Sequence, residues 1–296
     1  MKLSTQTSGV ISRFGEDEGI KILAEAGYDA LDYSMFMISR DPSCVWHTDT
    51  WREHAKELKE KAAAYGLAFN QGHAPFSYKF DAEGVLENVF MPDTVKAIEI
   101  AGILGIRDLV VHPLHHYLYK GNEAWIYEKN IEFYKSLIPY AEAAGVNISI
   151  ENMWQRDPIR KYIVDDVGAD EQELNSLVDD LNAYSNIFNV CLDLGHVVLV
   201  SRDPAEVIRN IGHDRLKALH VHDNDFIADK HTIMGQGKMD YTAIMQALSD
   251  IDYTGEFTLE ADAFFANFKP DQIPMAARFM VDVSRYWMAK FDPKKN

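Results

Sequence analysis

Six successive β-rich runs in this chain each finish on an ionisable side chain. His73 follows Phe69-Asn70-Gln71-Gly72, His112 follows Leu109-Val110-Val111, and Glu151 follows Ile148-Ser149-Ile150. Asp193 follows Val190-Cys191-Leu192, His220 follows Ala218-Leu219, and Glu260 follows Phe257-Thr258-Leu259. A buried charge is costly unless it is paired or bound to a metal. One such ending is an accident or a local ion pair, whereas six in a row need a common cause.

With two earlier runs, the strand candidates number eight. They begin near Leu3, Ala30, Ala68, Asp108, Asn147, Asn189, Leu216 and Phe257. Amphipathic stretches lie between them. Trp51, Ala55, Leu58 and Ala62 mark one face of a helix over Trp51–Tyr65, and another helix runs from Pro92 to Leu104. Leu104-Gly105, Ala144-Gly145 and Ala26-Gly27 are helix stops, and Asp203-Pro204 is a helix start. Eight strand–helix units at this spacing predict parallel βαβ units closed into an α/β fold, the (β/α)8 TIM barrel. The rival open sheet places a G-x-G-x-x-G loop after its first strand. Thr7-Ser8-Gly9-Val10-Ile11-Ser12 does not match it, and no nucleotide cofactor is expected. No linker rich in Pro, Gly or Ser interrupts residues 1–296, so one domain is expected. The long loop from Trp154 to Asp170 is expected to cover the active face.

The charge balance narrows the partners. Asp plus Glu is 46 against 29 for Lys plus Arg, a formal charge of −17. That argues against a nucleic-acid partner, because phosphate binding wants positive charge. No apolar run is long enough to span a membrane, and the N-terminal residues lack the apolar core of a signal peptide. Cys44 and Cys191 are not spaced as a metal knuckle. A cytoplasmic protein with free thiols is the expectation.

Converging carboxylates repel one another, and a divalent cation removes that repulsion. Glu151, Asp193, His220 and Glu260 offer three carboxylates and one imidazole. This set suits Mn²⁺, Mg²⁺ or a catalytic Zn²⁺. His73 and His112 are expected as further metal ligands or as substrate contacts. Cys191 is expected as core filling. His222 shares parity with His220 but lies past the strand end, so it is expected behind the ligands or in solvent. His47, His54 and His213 are expected on the surface, and His115 and His116 in a loop. The segment Asp229-Lys230-His231-Thr232-Ile233-Met234-Gly235-Gln236-Gly237-Lys238 follows the seventh strand and is expected to bring His231 or Lys238 over the pocket. Trp154, Tyr33, Phe36, Phe76 and Phe264 are expected apolar walls. Arg156, Arg160 and Lys161 fit either a phosphate or carboxylate contact or a solvated cluster.

The runs ISIENMW (148–154), NVCLDLGHVVLV (189–200), LKALHVHDND (216–225), DKHTIMGQGKMDY (229–241) and FTLEAD (257–262) resemble the sugar phosphate isomerase/epimerase family. These are xylose-isomerase-like TIM barrels, in a superfamily shared with endonuclease IV. The resemblance implies one divalent metal on Glu151, Asp193, His220 and Glu260, with Glu151 and Glu260 also moving protons next to a substrate carbonyl. It implies a substrate contact for His196, which is expected to act in catalysis by polarising an oxygen or relaying a proton, and Trp154 and Lys238 are expected to touch substrate too. The implied substrate is a small sugar or sugar phosphate, with self-association into a homo-oligomer left open. An arginine that some epimerases carry after the seventh strand is replaced here by Asn224-Asp225. The endonuclease IV pattern of three zinc ions is matched in residue type by His73, His112, Glu151, Asp193, His196, His220, Asp229, His231 and Glu260. A multi-zinc hydrolase is therefore the alternative reading, with a related lyase or dehydratase beside it.

Overall fold

The computed structural model describes residues 1–76, 79–86 and 91–292. Eight parallel strands form one sheet: β1 (Leu3–Gln6), β2 (Ala30–Ser34), β3 (Phe69–His73), β4 (Asp108–Val111), β5 (Asn147–Glu151), β6 (Phe188–Asp193), β7 (Leu216–His220) and β8 (Phe257–Leu259). Each pairs with its neighbours in sequence, and β8 returns to β1. The ring closes where the Val221 N–H donates to Thr258 O (2.9 Å) and the Glu260 N–H donates to Val221 O (3.0 Å). The result is a (β/α)8 barrel. Every strand begins within one residue of its expected start.

One long helix follows each strand: α1 (Ser8–Ala26), α2 (Trp51–Ala64), α3 (Met91–Leu104), α4 (Glu123–Ala144), α5 (Glu171–Asn182), α6 (Pro204–Arg215), α7 (Tyr241–Asp250) and α8 (Ile273–Met288). The local causes are those written in the sequence. Trp51, Ala55, Leu58 and Ala62 are the buried face of α2. Asp203 caps α6 by accepting the Ala205 N–H at 2.7 Å, with Pro204 at the first position. Gly27 and Gly145 end α1 and α4 at φ +103° and +67°, where a side chain would be strained.

The barrel interior is partly polar. Asn189 Nδ2 of β6 donates across the lumen to Asp108 Oδ1 of β4 (2.8 Å), and Gln71 Nε2 of β3 donates to Asp32 Oδ2 of β2 (2.9 Å). Val110, Cys191 and Ala218 form a small apolar layer, so Cys191 is core filling as expected. Both cysteines are free thiols. The Trp154–Asp170 segment is more ordered than a plain loop: Trp154–Arg156 and Ile163–Asp165 pair as an antiparallel hairpin. A second short pair, Lys79–Phe80 with His115–His116, is parallel. Among the described residues no helix is long and apolar enough to cross a membrane.

Candidate metal centre

The closed ring gathers the strand-end residues at one mouth. The registers Asp193↔His220 and Cys191↔Glu151 fix neighbouring ends at matching heights. His220 Nδ1 lies 3.1 Å from Glu151 Oε1 and 3.3 Å from Glu260 Oε2, with all three side chains buried. Glu151, Asp193, His220 and Glu260 each present a ligand atom within 4.8 Å of the others. Among the described residues four further groups meet the same limit: His73–His112–Glu151, His73–His220–Glu260, His196–Asp229–His231 and His222–His231–Glu260.

The imidazoles are oriented for ligation. Nδ1 of His73 sits 2.9 Å from Ala74 O, Nδ1 of His196 is 2.8 Å from Asn152 O, and Nδ1 of His231 is 2.9 Å from Glu260 O. A carbonyl only accepts, so these Nδ1 atoms carry protons and Nε2 faces the carboxylates. His73 Nε2 stands 3.1 Å from His112 Nε2, and His231 Nε2 stands 3.1 Å from Asp229 Oδ2. Behind His220, Asp32 Oδ2 lies 3.5 Å from Nε2, in the place of a carboxylate that orients a ligating histidine. Gln6 Nε2 donates to Glu260 Oε1.

Electrostatics shows what the cluster lacks. Burial alone raises the Glu151 carboxyl, but His220 and His112 outweigh it and hold the group well below its usual range. Burial also opposes ionisation of Asp193, yet His196 and His222 bring it to about 2. Burial lowers His196, whereas Asp193 and Asp229 push it up to about 10. His220 and His231 are likewise raised against burial by the acidic groups around them. Only His112 is driven down, to about 4, chiefly by desolvation. Imidazolium protons thus supply the positive charge these carboxylates require. A divalent cation would supply it instead and release those protons. Among the described residues Glu151 Oε2 and Asp229 Oδ1 of the cluster, and Asp32 Oδ1 behind it, are buried with no hydrogen bond. His112 Nε2 is 2.9 Å from Glu151 Oε2 but outside hydrogen-bond alignment. Oxygen-rich donors, oriented imidazoles and these orphaned oxygens fit a divalent metal.

The cluster forms the floor of a cavity of about 1170 Å³. A family model described as a xylose isomerase-like TIM barrel matches residues 20–281. The chain belongs to this family. Among solved structures, a D-tagatose 3-epimerase-like protein superposes with a TM-score of 0.71 at 20% identity, over 98% of this chain and 97% of that one. A D-psicose 3-epimerase from Clostridium cellulolyticum H10 gives 0.69 at 18% identity, over 97% and 99%. Among curated proteins, the uncharacterized protein MJ1311 of Methanocaldococcus jannaschii is 27% identical over 167 residues, 55% of this chain and 54% of its own length. The chain spans about half the length of the curated relatives it matches.

In this xylose isomerase-like barrel, Trp154, His196, Asp229 and His231 reach the cavity. Lys238 does not. It lines a separate cavity of about 470 Å³ with Arg202 and Phe226, because its N–H is tied back to Asn224 O at 2.9 Å. Phe36 and Phe76 are cavity walls. Tyr33 is instead buried against Trp46 and Phe69, and Phe264 packs on Phe268 and Phe279. His54, expected on the surface, is half-buried with Nε2 2.9 Å from Glu16. His115 lines the cavity, with Nδ1 2.9 Å from Asp166 Oδ2.

His222, expected behind the ligands or in solvent, takes the first of these places. It is fully buried, with Nε2 3.1 Å from both oxygens of Asp193 and its ring stacked 4.1 Å from His231. Its shared parity with His220 was the signal, and the chain stays extended past the strand end. Asp32, Gln6 and Asn152 complete the surroundings of the cluster, with Asn152 Nδ2 donating to Asp193 O at 3.0 Å. Extending the strand-end rule to β1 would have found Gln6. His231 itself has φ +41°, a left-handed backbone held by the surrounding loop.

Proposed function

We propose that this chain is a divalent-metal-dependent sugar isomerase or epimerase that moves a proton next to a substrate carbonyl. The observation that carries the reading is the pair Glu151 and Glu260, drawn from opposite sides onto His220 Nδ1 at the floor of an open cavity. Two structural neighbours bear epimerase names, which supports the same class.

Glu151, Asp193, His220 and Glu260 would hold the metal. When bound, a divalent cation (Mn²⁺, Zn²⁺ or Mg²⁺) polarises carbonyl and hydroxyl oxygens as a Lewis acid. Glu151 and Glu260 then carry the proton work from β5 and β8. One takes the proton from the carbon beside the carbonyl, and the other returns one from the opposite side. Such a positioned group contributes about 10²–10⁴-fold. Gln6 steadies Glu260, and Asp32 steadies His220. His196, anchored by Asn152 O, turns Nε2 toward a substrate oxygen. Trp154 closes one wall and donates to Asp229 Oδ2 at 3.3 Å. The reading includes no nucleotide cofactor and no nucleic-acid partner, and it places the reaction in the cytoplasm.

A second reading has one observation in its favour. The groups His73–His112–Glu151 and His196–Asp229–His231 flank the central four residues, which is a donor set for three cations and for phosphoester hydrolysis. Incubation with ketoses and aldoses in deuterated water separates the two. Deuterium at the reacting carbon is expected, and Glu151→Gln should abolish it while the fold persists. Wild-type-like exchange in that variant would overturn the assignment. Phosphodiester cleavage without exchange would favour the hydrolase.

A further inference from the structure

The mouth of the cavity carries cations that have no acidic partner among the described residues. The chain has eleven arginines, and seven of them pair with a carboxylate: Arg52, Arg107, Arg202, Arg209, Arg215, Arg278 and Arg285. Arg13, Arg40 and Arg156 line the cavity, and among the described residues none of the three has such a pair. Lys79 lines it as well and is equally unpaired among the described residues. Among the arginines the pattern is selective: of the four without a carboxylate partner among the described residues, only Arg160 lies outside the cavity lining.

Aromatic rings hold these cations in place. The Arg40 guanidinium lies over the rings of Phe36 (5.0 Å) and Phe76 (5.3 Å). Lys79 Nζ lies 5.5 Å from the Tyr117 ring, and Arg156 lies 6.0 Å from the Trp154 ring. All four rings belong to the cavity wall. A cation parked on a ring face keeps its N–H donors unspent. Arg156 spends one donor on Lys161 O (2.8 Å), whereas Arg40 spends none among the described residues. The Phe76 ring stacks on His112 with centroids 4.9 Å apart. The Arg40 guanidinium is therefore within about 10 Å of the histidine that touches Glu151. An extended sugar chain spans that gap, with its reacting end on the floor and its far end at the rim.

We infer that the substrate carries an anionic group, a phosphate or a carboxylate, at the end remote from the reacting carbon, and that Arg40, Lys79 and Arg156 bind it. The net charge of −17 repels an anion at long range, but screening limits that field to about 8 Å at physiological salt. Local donors at the mouth decide entry, and a guanidinium fork matches either anion. The inference rests on the functional reading only in taking a sugar-sized substrate into this cavity.

The test is calorimetric titration of the full chain loaded with Mn²⁺, using matched probes: D-fructose, D-fructose 6-phosphate and D-fructuronate. At least one anionic probe should bind about tenfold or more tightly than fructose, as a charge-assisted contact implies. The phosphate and carboxylate arms tell which anion the rim accepts. The double variant Arg40→Ala/Arg156→Ala should erase that preference, bringing the anionic probes to the affinity of fructose. Arg278→Ala, paired with Asp282 on α8, should alter neither. Equal binding of neutral and anionic probes overturns the inference, as does a preference that survives the double variant. Deuterium exchange into neutral ketoses without anion preference sinks the inference alone. An arginine-dependent preference without exchange upholds the inference and sinks the isomerase reading.

Discussion

Replacing Asp223 with Ala removes four hydrogen bonds from the loop that delivers Asp229 and His231. Asp223 Oδ1 accepts the N–H groups of Asn224 (2.9 Å) and Met239 (3.2 Å), and Oδ2 accepts those of Gly235 (2.9 Å) and Gly237 (3.0 Å). The approach is so close that a Cβ on Gly237 would lie 2.2 Å from Asp223 Oδ1. The Asn224 and Met239 bonds are buried, whereas the two glycine amides are half-buried and can turn to water. Each buried donor left unpaired costs about 1–3 kcal/mol, so the expected loss is about 2–6 kcal/mol. Against a total stability of about 5–15 kcal/mol the barrel survives, and the loop opens locally. Urea unfolding measures the loss, and hydrogen exchange at Gly235, Gly237 and Met239 locates it. Metal content should fall too, because Asp229 and His231 ride on the same loop. A loss under about 0.5 kcal/mol with wild-type metal content would refute the reasoning.

Three other outcomes are expected. A Cβ at Gly195 would lie 2.0 Å from His222 Cε1, so Gly195→Ala should push His222 off Asp193 and cost about 1–3 kcal/mol or more; a melting temperature equal to wild type would count against that packing. Burial pushes the Asp29 carboxyl up, but Arg285 and the Leu3 N–H hold it below its usual 3.8. Its folded value lies below its unfolded value, so its contribution is present above pH 3.8 and is lost as pH falls through the folded value. Asp29→Asn should flatten the acid limb of a stability–pH curve, and an unchanged limb would show the pair to be idle. Mn²⁺ or Zn²⁺ at a hundredfold over its Kd should add about 2.7 kcal/mol to unfolding, and Asp193→Asn should shrink that gain; identical melting of chelated and loaded protein would dismiss the ligand set.

Local chemistry made much of this protein legible. The starts of the strands, the buried face of α2, the glycine stops and the Asp203 cap depend on side-chain period and on φ values that neighbouring residues set. The ionisable ends of six strands were equally plain, because parity along a strand is a local property. Tertiary structure decided what those ends meet. Closing the ring set Asp32 behind His220 and brought Gln6 to Glu260, contacts between residues 188 and 254 positions apart in sequence. It drew His222 into the cluster and left Lys238 in another cavity. Neither outcome is written in the spacing of residues 220–240, because the course of that loop is governed by the acceptors of one buried carboxylate, Asp223, and by a glycine that lets the backbone touch it. The cations at the mouth come from α1 and from the segments that follow β2, β3 and β5. Their common surroundings exist only once long-range strand pairing has curled the sheet shut.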